Sequence, residues 1–291
     1  MPRKAMPRSL SFKDLFLPQP DYPYFEDTDL VSIVAAEGFS PRRAWWLAEL
    51  SLLAYLEPAQ ARPHLARLNL DQRVFIDRDA TQGWWLGGAD WAVVAFRGTE
   101  IEERDDLMTD ADAWLHRLAP GAGAVHRGFH HALESVWPDL ESLAANPNIR
   151  RIWTTGHSLG GALALLAARR FTQPAEVVTF GCPRVGDRAF ARAFRPRHYR
   201  VVYRNDMVPM VPPPGIYKHA GEFIYLDGNQ QVHRDMDGWE RAKDRARGHA
   251  RHLRMLFRAW RRGRFESIFS ANLADHSPVR YAVALWNASQ G

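Results

Sequence analysis

Ser158 stands in Thr155-Gly156-His157-Ser158-Leu159-Gly160-Gly161, with a glycine two residues to either side. A serine hydroxyl is a weak nucleophile until a base takes its proton, and that base needs an acid to hold its orientation. Gly-x-Ser-x-Gly spacing lets a strand turn sharply into a helix and projects the hydroxyl at the helix N-terminus. The amides there stabilise negative charge that develops beside it. The flanks agree with such an elbow. Ile152, Trp153, Thr154 and Thr155 suit a short buried strand, and Ala162 to Arg170 are good helix formers. A strand-to-helix turn that merely contains a serine is the simpler alternative; strand, motif and helix in this order favour the elbow.

In folds that carry this elbow, an Asp or Glu and then a His follow the serine along the chain. In open parallel sheets, functional residues collect at the carboxyl ends of the strands. After Ser158 the next strand signals end at "FGCPRVGD" and "YRNDMVPMVPP", which makes Asp187 and Asp206 the candidate acids. Asp206 enters a proline-stiffened loop directly after its strand and is preferred. Asp187 stands where it would cap a helix. His219, His233, His249, His252 and His276 all follow Asp206. His249 and His252 lie among arginines, which lower basicity. His233 follows the last strand and stays in competition with His276, a loop residue before a terminal amphipathic helix. Asp275 adjoins His276, but chain neighbours rarely share one hydrogen bond.

The elements that must position these groups read as a single α/β domain. The chain has 291 residues, 46% of them apolar, with no composition break. Residues 1–39, rich in Pro, Asp and aromatics, read as an irregular arm on the surface. Ser40-Pro41 opens a helix whose Trp45-Trp46 pair reads as core. Strand signals over 73–77, 83–87 and 91–98, with a turn at Gly87-Gly88-Ala89-Asp90, predict a hairpin. Strands over 151–155, 176–181, 199–205 and 222–226 then alternate with helices, which predicts a mainly parallel, doubly wound sheet. Cys182 is the single cysteine, so there is no intrachain disulfide, and its apolar setting predicts a buried, inert thiol. The longest apolar run, Ala162 to Ala168, is far too short for a bilayer core of ~30 Å. The N-terminus lacks the apolar region of a secretory leader. These points predict a cytoplasmic or membrane-peripheral protein, with export left open.

Seven segments carry a family resemblance: "VVAFRGT" (93–99), "VHRGF" (125–129), "TGHSLGGALA" (155–164), "TFGCPRVGD" (179–187), "RVVYRNDMVPMVPP" (200–213), "YKHAGEF" (217–223) and "ADHSPVRY" (274–281). In order and spacing the chain resembles the fungal-type, class three triacylglycerol lipases of the α/β-hydrolase superfamily. The resemblance implies an α/β-hydrolase fold with a lid. It also implies hydrolysis of lipid acyl esters with Ser158 as nucleophile, Asp206 as triad acid and His276 as base. The oxyanion hole falls to Thr99, through amide and hydroxyl, and to the Leu159 amide. Thr99 also has a logic of its own, since it follows an apolar strand and Gly98; capping the next helix is its other reading.

The resemblance implies a lid over 100–124. Leucine stands where the family has a tryptophan, at Asp106-Leu107-x-x-Asp110, and Glu100 to Asp112 carries a net −6. Arg241 to Arg264 carries a net +9, so the overall +5 hides a strong segregation of charge. Over 237–264, Leu253, Leu256, Phe257 and Trp260 fall on one helical face. Arg247, Arg251, Arg254, Arg258, Arg261 and Arg262 fall on the other. Such a helix can lie on an anionic membrane surface, latch an acidic lid, or simply present a solvated face. A hydrolase reading needs no cofactor or metal, and no metal-ligand cluster stands out. Phospholipase A and general carboxylesterase activity remain alternatives. A non-catalytic membrane- or polyanion-binding protein on a hydrolase scaffold is a further one; no nucleic-acid-binding module is recognised.

Overall fold

The computed structural model describes residue 4 and residues 22–28, 38–98, 114–247 and 274–290. Its centre is an eight-stranded sheet. Strands β1 (Gln72–Arg78), β2 (Thr81–Gly87) and β3 (Trp91–Phe96) form an antiparallel meander at one edge. β3 then pairs in parallel with β6 (Arg151–His157), β6 with β7 (Ala175–Phe180), β7 with β9 (Arg197–Tyr203), and β9 with β11 (Glu222–Leu226). An antiparallel strand, β12 (Val232–His233), closes the far edge. A smaller antiparallel sheet comprises β4 (Leu115–Arg117), β5 (Ala124–His126), β8 (Gly186–Asp187) and β10 (Tyr217–Lys218).

Helices cover both faces, as a doubly wound sheet requires. One face carries α1 (Pro41–Leu53) and the terminal helix α6 (Pro278–Ser289), with α2 (Pro58–Ala66) beside them. The other carries α3 (Arg127–Ala144) and α4 (Leu159–Arg170), with α5 (Arg188–Ala193) near its edge. α1 starts where the sequence predicts: the Ser40 hydroxyl accepts from the Arg43 amide and proline follows at once. Trp45 and Trp46 are buried, and the Trp45 ring meets Trp286 of α6 at 4.6 Å. Such an aromatic pair is worth about 0.5–1.5 kcal/mol beyond its buried area. Cys182 is buried as expected, and burial pushes its thiol up to about 12.

Part of the N-terminal arm differs from the surface wrapping expected of it. Tyr24 and Phe25 are fully buried, with Phe25 against Trp46. Aromatic side chains without helical or strand periodicity complete the core here, and the irregular backbone hid them from a periodicity reading. Residues 100–113 of the expected lid lie outside the described residues. Its remainder, 114–124, forms the β4–β5 hairpin with Trp114 exposed. Residues 238–247 of the basic insertion are helical, and Asp244 is buried against Tyr225 and the Gly228 amide. Arg251, Arg254, Arg258, Arg261 and Arg262 lie outside the described residues. Among the described residues no helix is long and apolar enough to cross a membrane.

Candidate active site

Ser158 sits between the end of β6 and the start of α4 with φ 59° and ψ −126°. A non-glycine residue in this region of backbone space costs about 1–3 kcal/mol and persists only where its surroundings hold it. Here the Ser158 amide donates to the Phe180 carbonyl (2.9 Å), and the Gly161 amide donates to the Ser158 carbonyl (3.0 Å). The glycines of the motif allow the close approach. A Cβ on Gly156 would lie 2.2 Å from the Gly160 carbonyl carbon, and one on Gly160 would lie 2.3 Å from the Phe96 carbonyl oxygen. Any side chain at either position would push α4 off β6 and β3. The Leu159 amide opens α4, so it lacks an intrahelical acceptor and carries the positive end of the helix dipole. Thr99 lies outside the described residues.

Asp206 and His276 are both fully buried, and the His276 Nδ1–H donates to Asp206 Oδ2 at 2.8 Å. Asp206 Oδ2 also accepts from the Tyr281 hydroxyl (2.6 Å), and Oδ1 accepts from the Val208 amide (2.9 Å). Burial, with the Asp206 charge adding to it, raises the Tyr281 hydroxyl well above its ordinary range, so it stays a donor. A carboxylate only accepts, so the neutral His276 ring carries its proton on Nδ1. That leaves a lone pair on Nε2, the state a general base needs.

Two contacts join this pair to the residues that flank the serine and its anchor. The Phe180 carbonyl that holds Ser158 is followed by Gly181, whose φ is 59°. A Cβ on Gly181 would lie 2.5 Å from Asp206 Oδ2 and 2.8 Å from His276 Nδ1. On the other side, the His157 ring packs at 4.3 Å from the His276 ring, and its Nε2–H donates to the His276 carbonyl at 2.6 Å. His157 Nδ1 then accepts from the Tyr55 hydroxyl (2.9 Å). His157, which precedes Ser158, therefore touches His276, and Gly181, which follows its anchor Phe180, lies too close to His276 and Asp206 to carry a side chain.

The competing residues are occupied elsewhere. Asp187 caps α5, accepting from the Phe190 amide at 2.7 Å. Asp275 pairs with Arg280 (2.7 Å) and Asn205. His233 makes a true His–carboxylate pair with Asp227 (3.0 Å), but on β12, with β7, β9 and β11 between it and β6. His219 donates to the Pro209 carbonyl, and burial followed by the Arg200 charge pushes it down to about 3. His249 and His252 lie outside the described residues. The sequence reading missed Tyr281, Gly181 and the His157–Tyr55 pair. All four residues are remote in sequence from at least one partner, and only "HSPVRY" and "TFGCPRVGD" held any signal for the first two.

Residues 93–215 match the family model described as lipase (class 3). The chain is similar to secreted mono- and diacylglycerol lipase 1 of Fusarium solani, at 38% identity over 123 residues. That alignment covers 38% of this chain and 36% of that protein. The chain spans little more than a third of the length of the first curated relatives it matches. Among solved structures it is similar to a lipase from Rhizopus microsporus var. chinensis. Identity there is 26% and the TM-score 0.51, over 64% of this chain and 74% of that one. The triacylglyceride lipase of Rhizomucor miehei shares the fold, with TM-score 0.56 and 24% identity over 66% of this chain and 82% of that one. The mostly parallel sheet with flanking helices is thus of the α/β-hydrolase kind found in that lipase.

Proposed function

Since residues 93–215 match the class 3 lipase family model, we propose that the protein is a lipase of that family and hydrolyses acylglycerols and related lipid esters with Ser158 as its nucleophile. Ser158 Oγ attacks the acyl carbonyl carbon as its proton passes to His276 Nε2. The oxyanion of the tetrahedral intermediate is held by the Leu159 amide, and by the amide and hydroxyl of Thr99. Collapse breaks the ester C–O bond, and His276 gives its proton to the departing alcohol. Water then attacks the acyl-enzyme, again with His276 as base, and releases the fatty acid and the serine. Asp206 keeps the proton on Nδ1 and stabilises the transient imidazolium without taking that proton itself.

The observation that carries this reading is one conjunction. A serine is held at positive φ at a helix N-terminus, and residues on both sides of it lead to a buried His276–Asp206 pair: His157 packs on the His276 ring, and Gly181 follows the Phe180 carbonyl that accepts from Ser158. The mono- and diacylglycerols in the name of the Fusarium solani relative support the substrate class. The segment over 100–124 serves as the lid. The arginine face from Arg247 to Arg262 docks the protein on anionic lipid, a peripheral association with the membrane surface.

A panel of p-nitrophenyl esters of increasing chain length, an emulsified triglyceride and a phospholipid tests the reading. The expected result is release of fatty acid from the acylglycerol, reduced about 10⁴-fold or more in Ser158→Ala. Cleavage of the phospholipid alone would move the assignment to a phospholipase A. Unchanged hydrolysis by Ser158→Ala would remove the serine mechanism.

A further inference from the structure

Arginine is seldom buried without a carboxylate beside it, because a desolvated charge is costly unless paired. Three arginines of this protein follow that rule: Arg43 meets Glu176 (2.6 Å), Arg280 meets Asp275 (2.7 Å), and Arg204 lies 3.7 Å from Asp244. Arg200 does not. It stands in the middle of β9, its Nε sealed from solvent with no hydrogen-bond partner, and among the described residues its guanidinium meets no carboxylate. It lies instead on the Phe223 ring, 4.9 Å from the centroid, where Arg241 lies at 5.0 Å from the same ring. Cation–π attraction offsets part of the desolvation but supplies no negative charge.

Arg200 lines a cavity of about 380 Å³ together with Arg184, Arg241, Arg245, His219 and Phe223. Among the described residues no acidic side chain lines it. Arg184 donates to the carbonyls of Met210 and Pro212, and Arg245 Nε donates to the Arg204 carbonyl. Carbonyls satisfy donors without neutralising charge. Three acids nearby in the chain are committed: Asp244 to Tyr225, Gly228 and Arg204, Glu222 to Arg234, and Asp237 to the Glu240 amide; Asp235 and Glu240 are exposed and do not line the hollow. Burial, reinforced by Arg184 and Arg241, pushes Arg200 down to about 10. The four arginines come from the loop after β7, from β9 and from the helical run over 238–247, so three segments converge on one cationic hollow.

We infer that this hollow binds a phosphate group, presented either as a free anion or on a lipid headgroup, with Arg200 at its floor and Arg241 and Arg245 closing over it. Guanidinium groups match the planar pairs of phosphate oxygens and form charge-assisted bonds to them. The volume exceeds that of a bare phosphate and leaves room for a small organic substituent. The site is distinct from Ser158 and His276, and its existence does not rest on the ester-hydrolase reading.

Calorimetric titration of the full chain with inorganic phosphate, at ionic strength held constant with chloride, tests it. Saturable binding is expected, weakened about tenfold or more in Arg200→Gln and several-fold in Arg241→Gln. Arg241→Gln tests the site with the floor residue intact, so loss of folding in Arg200→Gln leaves the question answerable. Sedimentation with phosphatidylcholine vesicles, with and without phosphatidic acid, distinguishes the sources. Phosphatidic acid-dependent binding that falls in the same variants assigns a headgroup; arginine-dependent binding of inorganic phosphate without it assigns a soluble anion. The inference is overturned if phosphate gives no saturable signal above chloride and vesicle binding is the same in both variants as in wild type.

Discussion

Arg200 and Asp206 lie six residues apart, one within β9 and one just beyond it, and the protein treats their charges in opposite ways. Asp206 is fully buried and receives the His276 ring, the Tyr281 hydroxyl and the Val208 amide as donors. Arg200 is half-buried and among the described residues meets a ring, other cations and no anion. A saturated network holds its members in one geometry, which suits a group that must present a histidine to a serine at a set angle. An unsatisfied charge in a hollow gains most when a ligand arrives. The contrast separates a part built to stay as it is from a part built to be completed.

Breaking the saturated side should have the largest effect. Asp206→Asn keeps the shape and removes the charge that holds the His276 ring, and His276→Ala removes the proposed base. Each is expected to lower kcat on a soluble ester by about 10⁴-fold, with the far-UV spectrum unchanged. Tyr281→Phe takes away a donor to Asp206, and also the hydroxyl that accepts from the Tyr203 amide at 3.0 Å. It should cost about 1–3 kcal/mol of stability in a denaturant titration and a far smaller loss in kcat. If Tyr281→Phe proves as inactive as His276→Ala, the network does more than hold Asp206 in place.

The cationic side predicts a smaller effect, read through pH. His219, at the edge of that hollow, is pushed down to about 3 in the folded protein, against about 6.5 unfolded. Its neutral form is the one the fold prefers, so its contribution is complete above pH ~6.5. Below that, the unfolded chain binds the extra proton and stability falls, by about 2 kcal/mol at pH 5, until the folded value is reached. His219→Gln should therefore flatten the decline in unfolding free energy between pH 7 and 5 relative to wild type. An identical slope in the two proteins would show that His219 does not feel the burial and charge described for it.

How much of this is legible in the sequence follows from how local each feature is. The turn at Ser158 is written in seven consecutive residues, and the alternation of strands and helices gives the doubly wound sheet. The position of Asp206 follows from strand order, because a residue just past a central parallel strand reaches the sheet edge. His276 is different. Five histidines follow Asp206, and its selection over His233 rested on resemblance; the strands between β12 and β6 separate the two only in space. Gly181, Tyr281 and the His157–Tyr55 pair depend on contacts between segments up to 119 residues apart. The burial of Tyr24 and Phe25 escapes a periodicity reading because their backbone is irregular. The Arg200 hollow leaves no local mark either. Its arginines lie on three segments, and what distinguishes Arg200 from Arg43, Arg204 and Arg280 is a missing carboxylate partner among the described residues, which a sequence does not record.

Everything proposed for this site depends on Ser158 being an activated nucleophile, which covalent capture can reveal. An alkyl fluorophosphonate should form one adduct, with fluoride leaving as the Ser158 Oγ–P bond forms, and peptide mapping should place it on Ser158. Labelling should slow by orders of magnitude in His276→Ala. An adduct on another residue, or ester hydrolysis that persists while Ser158 stays unlabelled, would contradict the claim.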